Sequence, residues 1–199
     1  MSGNHERNRC RADLLRIPCR DASWRPCRCL LCGGLLMTIG SHQRTIGATQ
    51  SWITPQWILN ALGRFDLDPC ECDPQPWKCA DVGYTTNGLE QPWFGRVWLN
   101  PPFDRRDVGR WMKRLAQHGR GTALIHARTE AAWFEPVWQS ASAILFLADR
   151  IHFHRPDGAR ASANSGAPAV LVAFGGADKI ILRGSGIRGA FVTQWAPAP

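Results

Sequence analysis

The tetrapeptide Asn100-Pro101-Pro102-Phe103 stands directly after the apolar run Val97-Trp98-Leu99. It puts an amide side chain, a rigid turn and a flat ring at the end of one strand. The Asn side chain offers a carbonyl acceptor, and a Pro-Pro turn can leave a backbone carbonyl without a ladder partner, because Pro has a fixed φ and no N–H. Two acceptors converging on an exocyclic amine, with an aromatic ring beside it, suit an amine that attacks an electrophile before it loses a proton. That chemistry is amino methylation. The plainer reading is a proline turn closing a buried strand, followed by a packed Phe, and four residues alone do not separate the two.

The flanks do. Trp52-x-Thr54-Pro55 lies upstream, then Phe65-Asp66-Leu67-Asp68-Pro69-Cys70, Tyr84-Thr85, Gly88-Leu89 and Trp93-x-Gly95-Arg96. Downstream come Ala127-Arg128-Thr129-Glu130, Phe146-Leu147-x-x-Arg150-Ile151-x-Phe153 and Ala167-Pro168-x-Val170-Leu171. In that order and spacing the chain resembles the phage-type DNA N-6-adenine-methyltransferase (phage Dam) family, from about Gly40 to Phe191.

The resemblance implies an α/β chain with a reduced, Rossmann-like, S-adenosylmethionine-dependent methyltransferase fold and a mostly parallel sheet. It implies methyl transfer from S-adenosyl-L-methionine to the N6 amine of an adenine in double-stranded DNA, in the cytoplasm of a bacterial host, from a phage or prophage gene. A stacked and paired adenine must be flipped out, at roughly a few kcal/mol. Phe103 would stack on the extruded base, while Asn100 and the Pro101 carbonyl would align its amine, with Pro102 stiffening the turn. Alignment is the main catalytic contribution for so poor a nucleophile. On the same resemblance Asp68-Pro69-Cys70 is the cofactor motif, Asp68 facing the methionine ammonium through charge-assisted hydrogen bonds. Thr54-Pro55 would touch the methionine end. The plainer readings are an Asp that caps the next turn and a Thr that caps a helix.

Two departures bear on the cofactor. No Gly-x-Gly follows Asp68, and only 31 residues separate Asp68 from Asn100. Asn87-Gly88-Leu89 stands where the family has Asp-Gly-Leu, whose acid would contact the cofactor adenine. Asn87 can accept the same hydrogen bond, without charge.

Short strands and helices must position these residues. Thr54 is placed to N-cap a helix with Pro55 at its first position and Gly63 closing it; Trp57, Ile58, Ala61 and Leu62 share its apolar face. Phe65 to Cys70, Arg96 to Asn100, Thr122 to Ala127 and Ala143 to Phe153 read as strands, the last as one or two, and Ala169 to Gly175 as the last clear one. Asp104 to His118 places Val108, Trp111, Met112 and Leu115 on one helical face, and Pro136 interrupts a helix capped by Thr129. Such alternation implies a mostly parallel sheet with ligands beyond the strands' carboxyl ends, where Asp68-Pro69 and Asn100-Pro101 would both lie.

Arg106, Arg110 and Lys113 fall on one face of the helix after Phe103, either a DNA contact or a solvated face. Arg128 with Thr129, and Arg150, match recurring family positions and are the stronger DNA candidates. His152 and His154 flank Phe153 on a hairpin as a surface pair, and Trp98, Trp111 and Trp138 read as core. Trp52 and Trp93 lie near the site motifs, with packing as the default.

A length of 199 residues suits one domain, and a net charge of +8 favours a polyanionic partner. No run approaches the ~18 apolar residues of a membrane span, so a soluble cytoplasmic protein is expected. Residues 1–36 carry seven Arg against three acids and five of eight Cys, with no sustained helical or strand period. They read as a disordered, basic, Cys-rich extension, either upstream of a true start at Met37 or an arm that holds DNA electrostatically. Cys27-x-Cys29-x-x-Cys32 could ligate zinc with Cys19 or a nearby His, but a second pair at zinc-site separation is missing, so no metal is expected. With those 36 residues set aside, 163 must hold a 37–199 methyltransferase domain. That leaves recognition short or relaxed, or dependent on a homodimer. Competing functions are cytosine N-4 methylation, methylation of a protein glutamine, and a non-catalytic DNA-binding remnant.

Overall fold

Strands β3 (Val97–Leu99), β4 (Gly121–His126) and β6 (Ala169–Phe174) are almost continuously apolar, and nearly every residue is buried, as in a sheet covered on both faces. The structure, a computed structural model, describes residues 52–103 and 107–196. β1 (Leu67–Asp68), β2 (Val82–Gly83), β5 (Ala143–Leu147) and β7 (Gly189–Val192) complete a seven-stranded sheet of order β2-β1-β3-β4-β6-β5-β7. Alternate side chains feed two cores. Trp98, Leu124, Leu145 and Leu171 pack with Ile58, Leu59 and Leu62 of α1 (Gln56–Leu62) and Leu182 of α4 (Gly176–Gly184). Val97, Leu99, Ile125 and Val172 pack with α2 (Val108–His118) and with Val137 of α3 (Glu135–Ser140). Helices on both faces of one sheet make a three-layer α/β domain.

The sheet is less parallel than expected. β2, β1, β3 and β4 pair in parallel, but β4–β6, β6–β5 and β5–β7 are antiparallel, with register from Gly121↔Phe174 to His126↔Ala169. The reason lies in residues 148–168, which form no helix. A parallel return needs a crossover over the sheet face, usually a helix. This segment instead forms a hairpin, and β6 comes back antiparallel. Five strands still point one way, so the carboxyl ends of β1 to β5 share one edge.

Other expectations change locally. Pro55, not Thr54, holds the N-cap position, with Ile58 N–H donating to the Pro55 carbonyl at 3.1 Å. Preceding a Pro keeps Thr54 extended, and its buried hydroxyl has no partner among the described residues. Trp57 is 53% exposed rather than on the buried face. α3 is short, as its proline implies, but it is not capped by Thr129: Pro136 falls in its first turn, where the missing N–H costs nothing. α4 and β7 follow β6, which is not the last strand. Val108, Trp111, Met112 and Leu115 do form the buried face of α2, closed by left-handed Gly119. Gly63 closes α1 as its position predicts, its N–H donating to Leu59.

One buried ion pair ties the layers behind the site. Arg96 Nε donates to Asp178 Oδ1 at 2.7 Å, Nη1 donates to the Leu62 and Arg64 carbonyls, and the guanidinium lies 4.0 Å over the Phe65 ring. Thr122 Oγ1 donates to the same Asp178 oxygen. The end of α1, strands β3 and β4 and the first turn of α4 are thus joined through charged hydrogen bonds away from water. Residues 1–36, Met37, Asp104 and Arg106 lie outside the described residues.

Candidate active site

After β1 the chain moves to β2 on one side, and β3 then returns to the other side of β1. At such a switch the loops leaving two adjacent strands diverge and open a crevice. A cavity of about 360 Å³ lies there, lined by the turn from Pro69 to Asp73, the loop from Tyr84 to Gly88, and the turn from Asn100 to Phe103. That volume is within the range of small-molecule sites. Trp52 and Trp111 add aromatic walls.

Asn100 is held by its neighbours in one orientation. Its Nδ2 donates to the Trp52 carbonyl at 2.7 Å, and its own carbonyl accepts the Cys70 thiol at 3.3 Å. Oδ1 is left buried with no partner among the described residues. A buried amide oxygen without a donor is costly, and it is the acceptor that a bound amine would satisfy. Phe103 lies parallel to the His126 imidazole, with ring centroids 4.1 Å apart and planes 9° apart, and meets Phe153 edge-on at 6.1 Å.

The opposite wall is shaped by backbone. Asn87 adopts φ +52, which Asn tolerates better than most residues. Gly88 presses against the Pro69 carbonyl and the Trp111 ring so closely that a Cβ would overlap that carbonyl. Trp93 Nε1 donates to the Gly88 carbonyl at 2.7 Å and Tyr84 N–H to the Asp68 carbonyl at 2.8 Å, closing the loop onto β1. Close approach comes from this glycine rather than from one following Asp68.

Burial sets the electrostatics. Asp68 lies under the Pro69-Cys70 turn and does not line the cavity, with Oδ1 accepting the Cys70 N–H at 3.0 Å. Desolvation raises its pKa to about 7, and nearby Glu71 adds to the rise. The carboxylates that do line the cavity belong to Glu71 and Asp73. Burial, with Asp68 beside it, pushes the Cys70 thiol well up, so it is a protonated donor. The His126 pKa falls to about 4, first through burial and then through Arg128 and Arg150. Its imidazole is neutral at neutral pH.

The structure therefore gathers Asn100, Pro101, Pro102, Phe103, Pro69, Cys70 and Asn87 around one cavity, with Asp68 behind it. Thr54 and Pro55 are buried and are not lining residues; their neighbour Trp52 is. Arg128 and Arg150, 22 positions apart, converge electrostatically on His126 and hence on the Phe103 side of the site. Arg110 and Lys113 are exposed on α2, where Arg110 faces Asp107 at 3.4 Å. Thr129 is exposed, and its carbonyl accepts Trp138 Nε1. Glu71 and His126 had not been singled out. Their signals were a carboxylate following Asp-Pro-Cys and a His at the carboxyl end of an apolar strand.

This cavity lies at the switch point of an α/β sheet, where ligands of such sheets bind, and its wall holds Asn100, with its unpartnered buried amide oxygen, and the Phe103 ring. A model of the DNA N-6-adenine-methyltransferase (Dam) family matches residues 43–181, and the chain belongs to that family. No curated protein and no solved structure matches it. Among the described residues no helix is long and apolar enough to cross a membrane, and no cluster of His, Cys, Asp or Glu is arranged to hold a metal ion.

Proposed function

We propose that the chain transfers a methyl group from S-adenosyl-L-methionine to the N6 amine of an adenine flipped out of double-stranded DNA. The observation that carries this reading is Asn100, a residue of the cavity wall whose Nδ2 is engaged by Trp52 while Oδ1 is buried with no partner among the described residues. An acceptor turned to one N–H of the amine fixes the direction of the nitrogen lone pair. The Pro101 carbonyl, in the same turn, would be the second acceptor, for the other N–H. With both N–H groups held, the nitrogen attacks along one line and the proton leaves only after the new bond forms. Phe103, backed by His126, offers the stacking face for the base.

The residues present fit the cofactor. When bound it supplies a methyl group on a cationic sulfur. Glu71 and Asp73, both lining the cavity, are the acidic residues that would meet a cationic ligand, Pro69, Cys70 and Asn87 would provide polar contacts, and Trp52 and Trp111 apolar ones. Asp68, Thr54 and Pro55 would then act from behind, holding the turn and Trp52 in place. A sheet that reverses direction of travel at β1, with five strands pointing one way, supports a reduced Rossmann-like methyltransferase fold. Arg128 and Arg150, whose charges both act on His126 behind Phe103, suit DNA phosphates.

The test is transfer of labelled methyl from S-adenosylmethionine to unmethylated duplex DNA, followed by nucleoside analysis. N-6-methyladenine is the expected product. N-4-methylcytosine, label on protein only, or DNA binding with no transfer would each replace this reading with one of its rivals.

A further inference from the structure

Residues 153–161 form a two-stranded hairpin that none of the site chemistry uses. His154 bridges Arg160 across it, Ala161 N–H donates to the Phe153 carbonyl at 2.8 Å, and Arg155 N–H donates to the Ala159 carbonyl at 2.8 Å. The turn is built rather than slack. Pro156 is followed by Asp157, whose Oδ1 accepts the Ala159 N–H, and Gly158 has φ +84. Ile151, Phe153 and Ala161 are buried and anchor its base, while Arg155 and Arg160 are exposed.

Its charge is one-sided. Residues 150–168 hold three arginines, Arg150, Arg155 and Arg160, and a single carboxylate, Asp157, which accepts a hydrogen bond from its own loop's backbone at Ala159. None of the three arginines has an ion-pair partner among the described residues. The hairpin also stands at the site. His154 exchanges backbone hydrogen bonds of 2.9 Å with Ile53 in both directions, and Ile53 follows the Trp52 whose carbonyl orients Asn100. Phe153, on the same hairpin, touches both Trp52 and Phe103.

We propose that the 153–161 hairpin is the element that grips the target duplex, with Arg155 and Arg160 as its DNA contacts. A two-stranded ribbon fits the major groove, where an arginine can read a guanine or hold a phosphate. Through Ile53 and Trp52, the same contact reaches the amide that receives the base. This inference rests on the DNA-methylating reading above.

The test compares wild type with the double variant Arg155→Ala/Arg160→Ala. The readouts are methylated-sequence profiling of genomic DNA, KM for duplex DNA, the salt dependence of DNA binding, cofactor affinity and thermal midpoint. The expected result is a KM for DNA raised about tenfold or more, with cofactor affinity and melting unchanged. Two patterns support the hairpin as the grip. A relaxed sequence context marks base-edge contacts, and an unchanged context with a salt slope smaller by about two marks phosphate contacts. An unchanged profile, KM and salt slope in a wild-type background that methylates DNA would overturn the proposal alone. A loss of DNA binding matched by an equal loss of cofactor affinity and melting temperature would overturn it as well, by reducing the arginines to structural parts. Absence of any DNA methylation by wild type would bring down the reading beneath it.

Discussion

Phe103 lies flat on His126, centroid to centroid at 4.1 Å, and this stack sets the ring that borders the cavity. His126 ends the central strand β4, so the ring's position is fixed from the sheet rather than from its own turn. The neutral imidazole, its pKa lowered to about 4, keeps a further cation away from Arg128 and Arg150. His126→Ala should lower kcat/KM for DNA about tenfold, the upper range for one aromatic pair, while cofactor affinity holds. His126→Phe should stay within about threefold of wild type, because it keeps the flat neutral surface. Steady-state methyl transfer at several DNA concentrations checks both.

Asn100→Ala removes the open acceptor and the tie to Trp52 together. Methyl transfer should fall by at least about a hundredfold, in the range for losing one aligned polar group. The far-ultraviolet spectrum and thermal midpoint should stay near wild type. Wild-type turnover in this variant would rule out the amide's role.

Asp68 makes stability depend on pH in a defined direction. Its pKa rises from 3.8 to about 7 on folding, so the folded state holds the proton more tightly than the unfolded chain. The stability this brings is complete below the unfolded pKa and is lost as pH rises through about 7. Between pH 5 and 8 this amounts to about 2–3 kcal/mol. Urea unfolding at the two pH values should show that loss in wild type and not in Asp68→Asn. His126 acts oppositely, weakening the fold as pH drops from its ordinary value toward about 4.

Gly88→Ala tests the wall against β1. A Cβ there overlaps the Pro69 carbonyl, so the loop must shift. A stability cost of about 1–3 kcal/mol is expected, together with weaker cofactor binding measured by calorimetry.

Asp178→Ala leaves Arg96 buried without its carboxylate, though three contacts of the guanidinium remain. Breaking one side of a buried pair costs about 3–5 kcal/mol. Chemical denaturation should show a loss of that order, and the cavity residues should keep their ligand affinity wherever the variant is folded.

The residues that line the cavity were largely legible in the chain because local signals mark them. Asn100-Pro101-Pro102-Phe103 and Asp68-Pro69-Cys70 are turns written by proline after apolar runs, and α2 shows its buried face in four residues at helical spacing. Tertiary structure decided what lies across space. Asp68 and Glu71 are three positions apart, and only the packing of the turn against Gly83 and Asn100 determines that Glu71 is a lining residue of the cavity while Asp68 is not. Nothing local to Phe103 names His126 as its partner, since β3 and β4 meet through long-range pairing. The antiparallel return of β6 was equally hidden, because it depends on residues 148–168 forming a hairpin bound to Ile53 instead of a crossover helix. Sequence periodicity records which face of an element is apolar. The partner that covers it is chosen by the whole fold.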